Sequence, residues 1–104
     1  MRDLRLTSIR ASTRRDKKLM AVFGGPGGRA RTVHFGGRGC GDFPTYWSLD
    51  PALAAVKRRA YISRHGARED WSDPTTPGAL SRYILWEKPT VAASVAAYKR
   101  RFRV

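Results

Sequence analysis

Two helix starts in this chain are marked by a capping side chain followed at once by proline, Asp50-Pro51 and Thr76-Pro77. The cap oxygen accepts a free amide of the first turn, and proline's fixed φ and missing N–H cost nothing at the first helical position. Each pair therefore fixes a helix start. The first predicts a helix over 51–65 that ends at Gly66, with Leu53, Val56, Ala60 and Ile62 inward and Lys57, Arg58, Arg59 and Arg64 outward. The second predicts a helix through Leu80, Ile84 and Leu85 to Trp86, stopped by Lys88-Pro89. Thr90 caps a third, in which Val91, Val95, Tyr98 and Phe102 recur at helical spacing.

Before these helices the pattern is that of strands. β-branched and aromatic residues cluster at Leu4–Ile9, Lys18–Phe23 and Arg31–Phe35, and Gly24-Gly25-Pro26-Gly27-Gly28 breaks the second run from the third. Residues 36–49 are glycine-rich and then aromatic, which predicts a crossing loop anchored by Phe43, Tyr46 and Trp47. The fold expected is α+β: a small antiparallel β-sheet, a hairpin plus one strand, followed by three helices. Residues 1–16 read as a basic N-terminal arm or first strand, and residues 17–104 as a single α+β domain. A chain of this length buries roughly two thirds of its unfolded surface, so the core is real but small.

Charge constrains the partner. The chain carries 21 Lys and Arg against 8 Asp and Glu, a net +13, and the halves on either side of residue 52 share the excess almost equally. A folded domain this basic repels itself unless something anionic neutralises it. Sixteen of the cations are Arg, whose planar fork suits close contact with phosphate or carboxylate. Cys40 is the only cysteine, so no internal disulfide forms, and a reducing intracellular site is expected. No run of residues is apolar and long enough to span a bilayer. The start, with Arg2, Arg5, Arg10, Ser12 and Thr13, shares features with organelle transit peptides, but Asp3 and Asp16 speak against one.

Few residues offer chemistry. His34, Cys40 and His65 are the only soft metal ligands and their spacing fits no zinc motif, so neither metal nor other cofactor is expected. A nucleophilic set from Cys40, a histidine and Asp42 lacks any framing motif, and no catalytic activity is expected. The two glycine runs match no nucleotide motif, since Arg29 opens a strand and Pro44 obstructs a helix; turns are their ordinary use. The cations remain. Arg14, Arg15, Lys17 and Lys18 precede the second strand, Lys57, Arg58 and Arg64 share an outer face of the first helix, and Lys99, Arg100 and Arg103 end the third. These three clusters are the candidate phosphate contacts. A helix-turn-helix reading of the last two helices fails on reach, because Thr90, Ala92, Ala93 and Ala96 offer base edges almost nothing. The tryptophans Trp47, Trp71 and Trp86, with Tyr83, suit base stacking. A core short of Leu and Ile needs their volume, so at least two of the three tryptophans should be mostly buried.

Several blocks of the sequence are also familiar together: Thr32-Val33-His34-Phe35-Gly36, Tyr61-Ile62-Ser63-Arg64-His65, Arg68-Glu69-Asp70-Trp71, Gly78 to Trp86, and Tyr98-Lys99-Arg100-Arg101-Phe102. In this order they resemble an uncharacterised family of small basic proteins encoded by large DNA viruses of algae and protists. The resemblance implies a viral protein found in the virion or in the infected host cell, in cytoplasm or nucleus. Charge and resemblance lead to one expectation: a non-enzymatic protein that binds nucleic acid, DNA ahead of RNA, through the phosphate backbone and without sequence specificity. The rival is a minor capsid protein held to acidic capsid proteins by its Arg residues. A third reading is a subunit of a ribonucleoprotein such as an organelle ribosome.

Overall fold

Leu6 and Ile9 are both apolar but three residues apart, a spacing that one face of a regular strand cannot present. The computed structural model, which describes residues 4–104, resolves the conflict with a bulge. In the first strand, β1 (Arg5–Ala11), Leu6 pairs with Phe23 and Ser8 with Val22, so Thr7 is the extra residue, and its hydroxyl donates to the Val22 carbonyl at 2.9 Å. Beyond the bulge Ile9 faces Ala21 and Ala11 faces Leu19, which returns every apolar residue of β1 to one face. The second strand, β2 (Lys17–Gly24), continues antiparallel into β3 (Ala30–Gly37), and the sheet order is β1-β2-β3. A single turn of 3₁₀ helix at Pro26–Gly28 makes the β2–β3 reversal, with Gly27 and Gly28 at φ of 76° and 78°. The first three residues of the expected arm lie outside the described residues.

Four helical segments follow, one more than the sequence announces: α1 (Phe43–Leu49), α2 (Pro51–Gly66), α3 (Pro77–Leu80), which runs on into a π turn at Ser81–Leu85, and α4 (Val91–Phe102). The expected crossing loop thus contains a helix. Asp42 caps it by accepting from the Thr45 amide at 2.9 Å, and Pro44 sits in the first turn, where its missing N–H is harmless. Asp50 then both closes α1, donating its amide to the Tyr46 carbonyl at 2.8 Å, and caps α2 through Ala52. Thr76 and Thr90 cap α3 and α4 as their sequences require.

The segment expected as one continuous helix from Pro77 to Trp86 widens instead. Ala79 and Ile84, and likewise Leu80 and Leu85, are all buried, yet residues five apart are turned about 140° from each other on an α-helix. The wider π turn brings such pairs nearer one side. This segment lies against β3, and α4 packs on it in turn. The core joins the inner face of the sheet, where Phe23 and Phe35 are completely buried, to Leu80, Ile84, Leu85, Trp86 and Tyr98. Each fully buried ring or aliphatic chain contributes on the order of 1.5–3 kcal/mol. Tyr98 also donates its hydroxyl to the Pro74 carbonyl at 2.5 Å, tying the loop before α3 to α4. Among the described residues no helix is long and apolar enough to cross a membrane.

Candidate functional site

An α-helix turns about 100° per residue, so Lys57, Tyr61 and Arg64 fall within roughly 60° of one another on α2. Tyr61 is buried while Lys57 and Arg64 are exposed on either side of it. Arg58 does not share that face, contrary to the sequence reading, because it lies about 100° further round. There its guanidinium covers the Phe43 ring at 4.3 Å and donates to the Glu87 carbonyl at 2.8 Å. Arg58 is a structural clamp between α1 and the segment after the π turn. Nor does Val56 face inward: it is 52% exposed, and Ala54 and Tyr61 are the residues α2 buries.

Opposite α2 stands the end of the sheet. Lys17 pairs in register with Gly37, and the glycine-rich stretch after β3 brings Cys40 and Gly41 beside them. A Cβ on Gly41 would lie within 2.5 Å of the Tyr46 hydroxyl oxygen and two of its ring carbons, so the absence of a side chain there lets the Tyr46 ring settle on the backbone. Lys18 extends to Asp42, Nζ to Oδ2 at 2.7 Å, both side chains mostly buried. Burial alone would raise the Asp42 pKa, but hydrogen bonds from Lys18 and Thr45 outweigh it and hold the carboxyl below its ordinary value of 3.8.

Between these two walls runs a cleft of about 440 Å³. Its cations are Lys17, Lys18, Lys57 and Arg64, and Tyr46, Tyr61, Leu85 and Trp86 supply its aromatic and apolar surface. Two of the three clusters read from the sequence therefore meet here. The Lys57 ammonium stands 5.4 Å over the Tyr46 ring. Tyr61 is stacked on Trp86 at 4.8 Å and on His65 at 4.3 Å, which explains why Trp86 is buried. Burial, with the Glu69 charge beside it, pushes the Tyr61 phenol up to about 12. Glu69 is the one carboxylate lining the cleft among the described residues, and it is already engaged, by Trp71 Nε1 at 2.9 Å and by His65 Nδ1 at 3.6 Å. Trp71 is partly buried through that contact, whereas Trp47 is 41% exposed.

The remaining candidates lie elsewhere. Arg14 is exposed and paired with Asp16 at 3.0 Å, and Arg15 is exposed beside it. Arg100 lines a second, shallower groove with Tyr83, Glu87, Lys88 and Arg101, away from the cleft, while Lys99 and Arg103 are exposed at the same end of α4. Sequence reasoning missed three cations with defined positions. Arg38 donates to the Lys17 carbonyl at 3.1 Å, Arg101 covers the Tyr83 ring at 4.5 Å, and Arg82 bonds Glu87 at 2.8 Å. Only their three-dimensional neighbours distinguish them from the other arginines. Among the described residues no group of three or more His, Cys, Asp or Glu is assembled to hold a metal. Of the nucleophilic set imagined from Cys40, His34 or His65, and Asp42, His34 is bonded to Ser12 at 2.7 Å and Asp42 to Lys18 and Thr45, while His65 lines the same cleft as Cys40.

Residues 7–45 match a family of unknown function, DUF5754. The matched segment runs from β1 into the first turn of α1 and so carries Lys17, Lys18 and the glycine wall of the cleft, but neither Lys57 nor Arg64. No curated protein and no solved structure matches the chain.

Proposed function

We propose that the protein binds nucleic acid through its phosphate backbone, without sequence preference and without catalysis, and that the cleft between α2 and the end of the sheet is the centre of contact. The observation that carries this reading is the meeting of Lys17, Lys18, Lys57 and Arg64, from two distant stretches of sequence, around one opening. Cations gathered this way raise the local potential more than the same number spread over a surface. The resemblance of residues 32–102 to proteins of large DNA viruses supports DNA ahead of RNA, and a virion or infected cell as the setting.

The number of contacts follows from which cations are free. Lys18, Arg58 and Arg14 are taken up by Asp42, the Glu87 carbonyl and Asp16. Lys17, Lys57 and Arg64 remain at the cleft, since Arg38 is bonded to the Lys17 carbonyl. About three neutralised phosphates give log affinity a slope of about −2.7 against log salt for duplex DNA. Fluorescence anisotropy of a labelled oligonucleotide across a salt series measures it, and a slope near zero sinks the reading.

A second reading rests on the other groove. Arg100 and Arg101 there, with Lys99 and Arg103 beside them, form a patch remote from the cleft that suits an acidic protein surface, as in a minor capsid component. Stripping particles at high salt separates the two, since a capsid component stays with the shell when the genome leaves.

A further inference from the structure

The cleft has the dimensions of a ligand site rather than of an open basic face. At about 440 Å³ it falls within the range of roughly 300–1,000 Å³ in which proteins enclose one small ligand. A base-paired helix is far too wide to enter, because its bases are stacked inside and only its phosphates face outward. An unpaired nucleotide presents both parts. Its phosphate meets the exposed Lys57 and Arg64, and its flat base lies against the half-buried Tyr46 ring, beneath which Leu85 and Trp86 are buried. The Lys57 ammonium stands over the Tyr46 ring, so a cation and an aromatic side chain meet in the cleft, the combination that single-strand binders use.

We propose that this cleft takes one unpaired nucleotide, so that the protein prefers single strands and frayed ends to closed duplex. The inference rests on the nucleic-acid reading above and adds the form of the substrate. Backbone contact alone treats single and double strands according to their phosphate density. An occupied cleft adds base contact that duplex cannot make.

The test compares short oligo(dT), oligo(U) and a duplex of equal length, with Trp fluorescence and anisotropy as readouts at one ionic strength. The site predicts single-strand affinity at least about tenfold above that of duplex, equivalent to about 1.4 kcal/mol. It also predicts that thymidine and uridine 5′-monophosphates compete better than inorganic phosphate. The double variant Lys57→Gln with Arg64→Gln changes two exposed side chains and should abolish the preference; Lys99→Gln with Arg100→Gln should preserve it. Tight, salt-dependent binding of duplex and single strand alike, with no competition by mononucleotides, overturns the cleft site and leaves the backbone reading standing. Failure to bind any of the three at low salt overturns both.

Discussion

Replacing Asp42 with Asn separates two roles that one carboxylate now plays. Asn is as good an N-cap as Asp, so the bond from the Thr45 amide to the start of α1 survives. What is lost is the charge facing Lys18 Nζ at 2.7 Å. A hydrogen bond between charged groups is worth about 1.5–3 kcal/mol, and Lys18 can relieve part of the loss by swinging into the cleft, so a destabilisation of about 2 kcal/mol is expected. For a domain of this size that lowers Tm by roughly 8–16 °C. The same swing frees one more cation for phosphate. The duplex salt slope should steepen by about 0.9, and affinity at 0.1 M salt relative to 1 M should gain about eightfold. The pH dependence has a fixed sign. The folded Asp42 pKa is depressed, so its contribution is complete above the unfolded value of 3.8 and is lost as pH falls through the lower folded value. Wild type should therefore lose in acid a stability increment that Asp42→Asn lacks at every pH. Thermal melts from pH 7 to 2 and anisotropy across a salt series measure both effects. A variant with lower Tm but unchanged slope and affinity would refute the reading that Lys18, once released from Asp42, reaches a phosphate.

Tyr61, held at about 12, contributes stability that is complete below pH 10 and lost as pH rises from there through 12, so Tyr61→Phe should flatten the alkaline arm of the stability profile. Gly36 has φ of 78°, and a Cβ there would come 2.5 Å from Leu85 Cδ1; Gly36→Ala should cost about 2–4 kcal/mol by urea denaturation. Arg58→Ala should cost about 2–3 kcal/mol through loss of the Glu87 carbonyl bond and the cover on Phe43, while leaving the salt slope unchanged. An altered slope would return Arg58 to the binding surface.

The helix starts were legible because they are local: Asp50, Thr76 and Thr90 cap through atoms within three residues. The strands were legible from their alternation. The bulge at Thr7 was encoded in the three-residue gap between Leu6 and Ile9, a gap that is evident only once Phe23 and Ala21 are known to stand opposite. Helix α1 was hidden by proline, which stops a helix in its interior and is harmless in its first turn. Charge and its clustering led to the expectation of an anionic partner, and members of two clusters meet at the cleft. Which cations are free is a different matter. Lys18 and Arg58 look like any surface cation in sequence, and only Asp42 and the Glu87 carbonyl, 24 and 29 residues away, commit them.

The account stands on where the phosphates go. Titrating labelled protein with short oligo(dT) and following backbone amide shifts by NMR locates them directly. The expected result is a continuous set of perturbed amides at Lys17, Lys18, Gly36, Gly37, Lys57 and Arg64, with Lys99, Arg100 and Arg103 unmoved at low occupancy. Perturbations confined to the end of α4, or spread evenly over all exposed cations, would contradict it.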